Sequence, residues 1–236
     1  MNNSATDPTT PPPAQPVWEL LRLVMGQVCL HASMAGMRMA APLWALQQGY
    51  GALAVGCLLA LFSLSQVFLA LPSGRYADRH GMRPLVARGV VASMLGAALA
   101  AVFPRFEVLC LSALLMGGAT GAASIALQRH VGRAAHGAEE LRRVFSWLSI
   151  GPAVSNFLGP VCAGLLIDYA GPWFGGQAGD GRGYVVAFAF AALVPALSWL
   201  CVRHTTEAPD PHAVRGQAAP SVWPLLRDPL MRRLLL

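Results

Sequence analysis

Among the polar side chains of the first long apolar stretch are Gln27, His31 and Arg38. At 100° per residue on a helix, His31 and Arg38 lie about 20° apart and Gln27 about 40° from His31, so the three form one stripe. An arginine inside an apolar span costs about 2.5–3.5 kcal/mol, which calls for a partner or a wet cavity. Arg38 therefore attracts an anionic ligand group, pairs with a carboxylate, or snorkels to the nearer interface. An unperturbed imidazole titrates near neutral pH, so His31 could carry a proton, or else serve as a hydrogen-bonded packing residue. Glu107 and Asp168 stand at the ends of apolar stretches and none has a central carboxylate, so a proton carrier is His31 or lies outside them.

Other chemistries are excluded by what is missing. The chain has no lysine, which removes a phosphate-loop lysine and any lysine Schiff base. No serine sits in a Gly-x-Ser-x-Gly setting of the kind an intramembrane protease would use. The five cysteines (Cys29, Cys57, Cys110, Cys162, Cys201) all fall in apolar stretches without metal-ligand or disulfide spacing. They read as small buried thiols, and neither a metal nor a cofactor is expected.

The elements that position these residues are membrane helices. Hydrophobic residues make up 55% of the chain, charged residues 12%, and the mean hydropathy is +0.51. Six stretches approach the roughly 20 apolar residues that span a bilayer: 20–46, 52–72, 85–103, 107–128, 144–167 and 183–202. They are too long and too continuously apolar for barrel strands. An all-α membrane protein is expected, its six-helix bundle covering 18–203. Residues 1–17, proline-rich and without the basic flank of a secretory signal, read as a disordered cytoplasmic tail. Residues 204–228 read as a cytoplasmic linker, and 229–236 as the start of a seventh membrane helix at which the chain is cut.

Arginine placement orients the helices. Arg75, Arg79, Arg83 and Arg88 surround the second break, Arg129, Arg133, Arg142 and Arg143 the fourth, and Arg203 follows the sixth helix; the alternate breaks hold only Arg105 and Arg182. By the positive-inside rule the N-terminus and the even breaks are cytoplasmic. The net charge of +6 is thus a topology signal rather than a nucleic-acid footprint.

Polar residues also sort the helices. The first holds the stripe and Ser33; the second Ser63, Ser65 and Gln66; the fourth Thr120 and Ser124; the fifth Ser149, Ser155 and Asn156. The third and sixth are nearly bare and read as lipid-facing. Gln27, His31, Arg38, Gln66, Thr120, Ser124 and Asn156 are the candidate lining of a substrate cavity.

An internal repeat underlies this order. Gly74-Arg75-Tyr76-Ala77-Asp78-Arg79-His80-Gly81 and Gly164-Leu165-Leu166-Ile167-Asp168-Tyr169-Ala170-Gly171 are both Gly-x-x-x-Asp-x-x-Gly, 90 residues apart and on opposite membrane faces. Three helices followed by three inverted helices is a frequent build of secondary transporters.

The segment from Gly74 to Arg83 resembles the signature between helices 2 and 3 of the major facilitator superfamily, through Gly74, Ala77, Asp78, Arg79, Gly81 and Arg83; Tyr76 and Met82 depart from it. Gly159-Pro160-Val161-Cys162-Ala163-Gly164 is similar to the helix 5 signature of its proton-driven antiporters, with Ala163 in place of a glycine. The resemblance implies the N-terminal six-helix half of a bacterial inner-membrane transporter, with a C-terminal half elsewhere. It also implies a small-molecule substrate, a proton or other ion gradient, and alternating access, with proton-coupled efflux as the leading form. In that family the Asp78 carboxylate engages the other half; the alternative is a topogenic loop without a gating role. Asp78 and its arginines are expected to form a charge lock. Gly151, Pro152, Gly159 and Pro160 are expected to bend helix 5, for a cavity or only for packing. The competing reading is a six-helix sensor or an intramembrane enzyme.

Overall fold

The computed structural model describes residues 17–134, 138–173, 175–177 and 179–205. Among them are six α-helices and no strand: α1 (Val17–Gln47), α2 (Ala52–His80), α3 (Met82–Val102), α4 (Phe106–Ala134), α5 (Ala138–Trp173) and α6 (Gly181–Val202). All six are long and apolar enough to cross a membrane. The expected tail up to residue 16, the linker from 206 onward and the seventh-helix start at 229–236 lie outside the described residues.

Several helices outrun their apolar stretches. A helix satisfies its own backbone hydrogen bonds whatever side chains it carries, so nothing ends it where the hydrocarbon ends. α2 therefore continues to His80 and takes in Gly74 and Asp78, which the sequence reading places in a loop. The turn is confined to Gly81, whose φ of 84° favours glycine. Likewise α5 is one helix from Ala138 to Trp173, with Pro152, Pro160 and Pro172 inside it.

Packing sorts the helices into two rows. α2, α4, α1 and α5 lie side by side in that order, while α3 and α6 touch each other and back α4 and α1. Exchanging α1 with α4, α2 with α5 and α3 with α6 preserves the main neighbours: α1–α5 becomes α4–α2, and α1–α6 becomes α4–α3. Each triplet makes three passes, so the second runs opposite to the first, as a 3+3 inverted repeat. The outer faces of α3 and α6 expose Val91, Leu95, Phe190, Leu193 and Leu197, which suits lipid contact.

The core is divided. One apolar cluster, including Leu23, Leu30, Met82, Leu127 and Leu148, fills the arginine-rich end. A second, including Met37, Trp44, Phe62, Met116 and Phe188, fills the opposite end. In chain position His31, Gln66, Ser93, Thr120, Ser155 and Ser198 fall between residues of the two clusters, making a polar belt at mid-height, with Ser124 one turn beyond Thr120 among residues of the first cluster.

Candidate functional site

At the arginine-rich end the last turns of α2 and α4 are held together by charge. Arg129 donates to Asp78 Oδ2, and Arg133 Nη2 donates to Oδ1 at 2.5 Å. The spacing of four places both arginines on one face of α4. Both carboxylate oxygens are thus taken by α4, whereas the sequence alone sets Asp78 against its own segment's arginines; of these Arg79 is the next residue of α2 and Arg83 lies past the turn in α3. The pair is about 40% exposed (37% for Asp78, 43% for Arg129), so each bridge is worth under about 1 kcal/mol. Gly74 makes room for this: a Cβ there would lie 2.8 Å from an Arg129 guanidinium nitrogen. Tyr76, in the place of the family's leucine, stacks on His80 at 4.2 Å, and Arg88 sits 4.5 Å over its ring.

At mid-height the belt converges on His31. Its Nδ1 is 3.2 Å from the Gln27 carbonyl oxygen and its Nε2 is 3.3 Å from Ser124 Oγ. Ser124 Oγ is also 2.8 Å from the Thr120 carbonyl oxygen. The hydroxyl can serve two protonation states without moving a heavy atom. With neutral His31, Nδ1–H donates to Gln27 and the Ser124 hydroxyl donates to Nε2. With the imidazolium, Nε2–H donates to Ser124 Oγ, whose own proton turns to the Thr120 carbonyl.

Other candidate residues divide around this centre. Gln66 reaches α1 through Nε2 to Met34 Sδ at 3.6 Å. Gln27 is buried against Gly151, and its Oε1 has no hydrogen-bond partner among the described residues. Thr120 is 1% exposed and donates to the Met116 carbonyl, so it packs rather than lines open space. Arg38 and Asn156 are exposed and stand apart from His31; Arg38 makes no ion pair among the described residues.

Close helix approach fixes the belt. A Cβ on Gly159 would strike the Ala32 carbonyl oxygen and lie 2.8 Å from Gly36 N, so the helix 5 motif is where α5 crosses α1. Ser155 Oγ, one turn away, lies 3.1 Å from the Val28 carbonyl oxygen and 2.6 Å from that of Gly151. On the other side a Cβ on Gly117 would strike the Phe62 carbonyl oxygen, where α4 crosses α2. Gly164 is overlain by Met39, and Asp168 is exposed. Among the described residues no group of His, Cys, Asp or Glu is placed to hold a metal.

The Major Facilitator Superfamily model matches residues 23–236. The chain belongs to this superfamily. As a major facilitator chain with six apolar helices among its described residues it is a multi-pass membrane protein, and its family is one of transporters rather than enzymes. It is also 34% identical over 147 residues, 61% of its length, to the Tetracycline resistance protein, class E, of Escherichia coli; that stretch spans 32% of the relative.

Sequence reasoning about this major facilitator chain missed Arg129 and Arg133 as partners, taking them only as topology charges. Their spacing of four was the available signal. It also missed Gly36 and Gly117, because a crossing needs two helices and a sequence displays one at a time.

Proposed function

We propose that this chain works with a second six-helix bundle as a secondary transporter that exports a small molecule against a proton gradient by alternating access. The observation that carries the reading is the His31–Ser124–Thr120 arrangement, which accommodates a proton at the middle of the bundle by rotating one hydroxyl. The exposed apolar side chains of α2 and α5, such as Val67, Phe68, Leu71 and Phe157, support a bundle partner. The similarity to a relative named for tetracycline resistance supports an antibiotic-like substrate. Within this reading the arginine-rich end faces the cytoplasm of a bacterial inner membrane, together with the N-terminus. Asp78, Arg129 and Arg133 brace the end of α2 against α4, and Gly81 and Arg83 shape the turn into α3. Gln27, Gln66, Arg38 and Asn156 contact substrate or water on the row shared by α1, α2, α4 and α5.

Everted membrane vesicles containing the full-length protein test this, with tetracycline as the probe. Uptake driven by an imposed proton gradient and abolished by a protonophore is expected; gradient-independent flux refutes the coupling. Ser124→Ala removes the hydroxyl that hydrogen-bonds His31 in either protonation state, and should lower gradient-driven uptake several-fold. Unchanged uptake takes the His31–Ser124 contact out of the coupling step.

A further inference from the structure

An apolar cleft of about 240 Å³ lies between α1, α5 and α6. Its floor is the stretch of α1 from Met25 to Gly36, and its walls run along α5 from Leu158 to Ala163 and α6 from Ala187 to Leu197. The rim is open: Met25, Leu158, Phe190 and Leu197 are each at least 40% exposed. α5 and α6 meet closely at Gly183, where a Cβ would strike the Ile167 carbonyl oxygen, and the cleft occupies the length beyond that contact.

The lining selects the occupant. Ser33 carries the one hydroxyl, and its Oγ donates to the Ala191 carbonyl oxygen at 2.6 Å. Besides the Cys29 and Cys162 thiols nothing remains to orient a functionalised molecule. Small-molecule sites are generally about 300–1,000 Å³ with a few placed polar groups, and this cleft has neither the size nor the groups. Water does not fill an apolar space of this kind. Lipid tails are as apolar as the wall, so occupancy is driven by dispersion contacts that an unfilled groove forfeits, not by hydrophobic transfer.

We propose that the α1–α5–α6 cleft holds one phospholipid acyl chain of the surrounding bilayer as a resident ligand, lying along the Gly36–Gly159 crossing. Floor and walls are all membrane-crossing helices and the open rim lies within their spans, where an alkyl chain is what the surroundings supply. The inference is independent of whether the chain takes part in proton-coupled export.

Reconstitution of the chain in nanodiscs containing a phospholipid with a chain-terminal diazirine, irradiation and peptide mapping by mass spectrometry tests it. Adducts per residue on the cleft walls are expected at several times the level on the open α3 face at Val91 and Leu95. Cys162→Trp should fill the cleft and lower wall labelling several-fold while leaving the α3 face unchanged. Equal labelling of the two faces in the unaltered chain overturns the proposal, with no variant needed. So does undiminished wall labelling in Cys162→Trp, or in Ala32→Leu should the tryptophan variant fail to fold.

Discussion

The two Gly-x-x-x-Asp-x-x-Gly segments occupy equivalent places in the two helix triplets but meet different neighbours. Over Gly74 lies the guanidinium of Arg129; over Gly164 lies the methyl group of Met39, 3.3 Å from where a Cβ would stand. Arg129 and Met39 are themselves 90 residues apart, the same offset as the two glycines. The crossing is therefore duplicated in backbone and altered in one side chain. Asp78 accepts from two arginines, whereas Asp168 is exposed and makes no ion pair among the described residues. The first glycine of the motif serves the side chain of the helix crossing over it, and the charge lock is an addition at one end of the bundle.

The strongest test asks whether the duplicated crossings are equally essential. Gly117→Val and Gly159→Val each force side-chain atoms into a carbonyl oxygen of the facing helix, in α2 and α1 respectively. Overpacking of this sort costs about 1–3 kcal/mol or more where neither backbone can yield. Both variants should lose most of their folded yield in fluorescence-detected size-exclusion chromatography, to a similar degree. The two glycines sit at different heights of their helix pairs, so tolerance of one and not the other would show that α4–α2 and α5–α1 are not crossed equally tightly at these points.

Next in size is the contrast between the carboxylates. Asp78→Asn removes the anion that Arg129 and Arg133 share, and should lower stability by about 1 kcal/mol, the sum of two half-exposed bridges. Asp168→Asn removes a charge that holds nothing and should change the detergent melting temperature by no more than the error. Equal losses would show that Asp168 has a partner.

A smaller effect is expected from the arginines separately. Arg129 lies over Gly74 and Arg133 one turn on, so Arg129→Gln should cost more than Arg133→Gln, each by a few tenths of a kcal/mol. High salt should erase much of the difference, because exposed bridges are screened. The opposite order would place the main bridge at Arg133.

Much of this organisation was legible in the residues. Hydropathy marked six spans because a bilayer sets helix length, and the repeat of Gly74 and Asp78 at Gly164 and Asp168 marked the inverted triplets. The scarcity of polar residues in the third and sixth spans marked the back row. Less legible was what depends on two helices at once. Asp78 was read with Arg79 and Arg83, its neighbours in sequence, while its oxygens are taken by Arg129 and Arg133, more than 50 residues away. Thr120 reads as cavity lining because a polar group in a span is costly unless it faces a cavity, yet its hydroxyl turns back to Met116 one turn earlier. His31 and Ser124 stood in the same candidate list, but the Thr120 carbonyl that lets Ser124 serve both protonation states is a backbone atom no side-chain pattern announces.

If the two ends differ only by the residue crossing the first glycine, the missing lock can be installed. Met39→Arg puts a guanidinium over Gly164, as Arg129 stands over Gly74, and one turn from Asp168 on α5. Met39 is partly buried, so the new charge loses some solvation and the net gain should be small, about 0.5 kcal/mol or less. The informative quantity is the coupling rather than the gain: melting temperatures of Met39→Arg, Asp168→Asn and the double variant form a cycle in which desolvation of the arginine cancels. A favourable coupling of a few tenths of a kcal/mol, lost at high salt, means the second crossing reproduces the first. Zero coupling means that the α1–α5 crossing differs from α4–α2 in geometry as well as in side chain, and that the likeness of the two segments stops at their glycines.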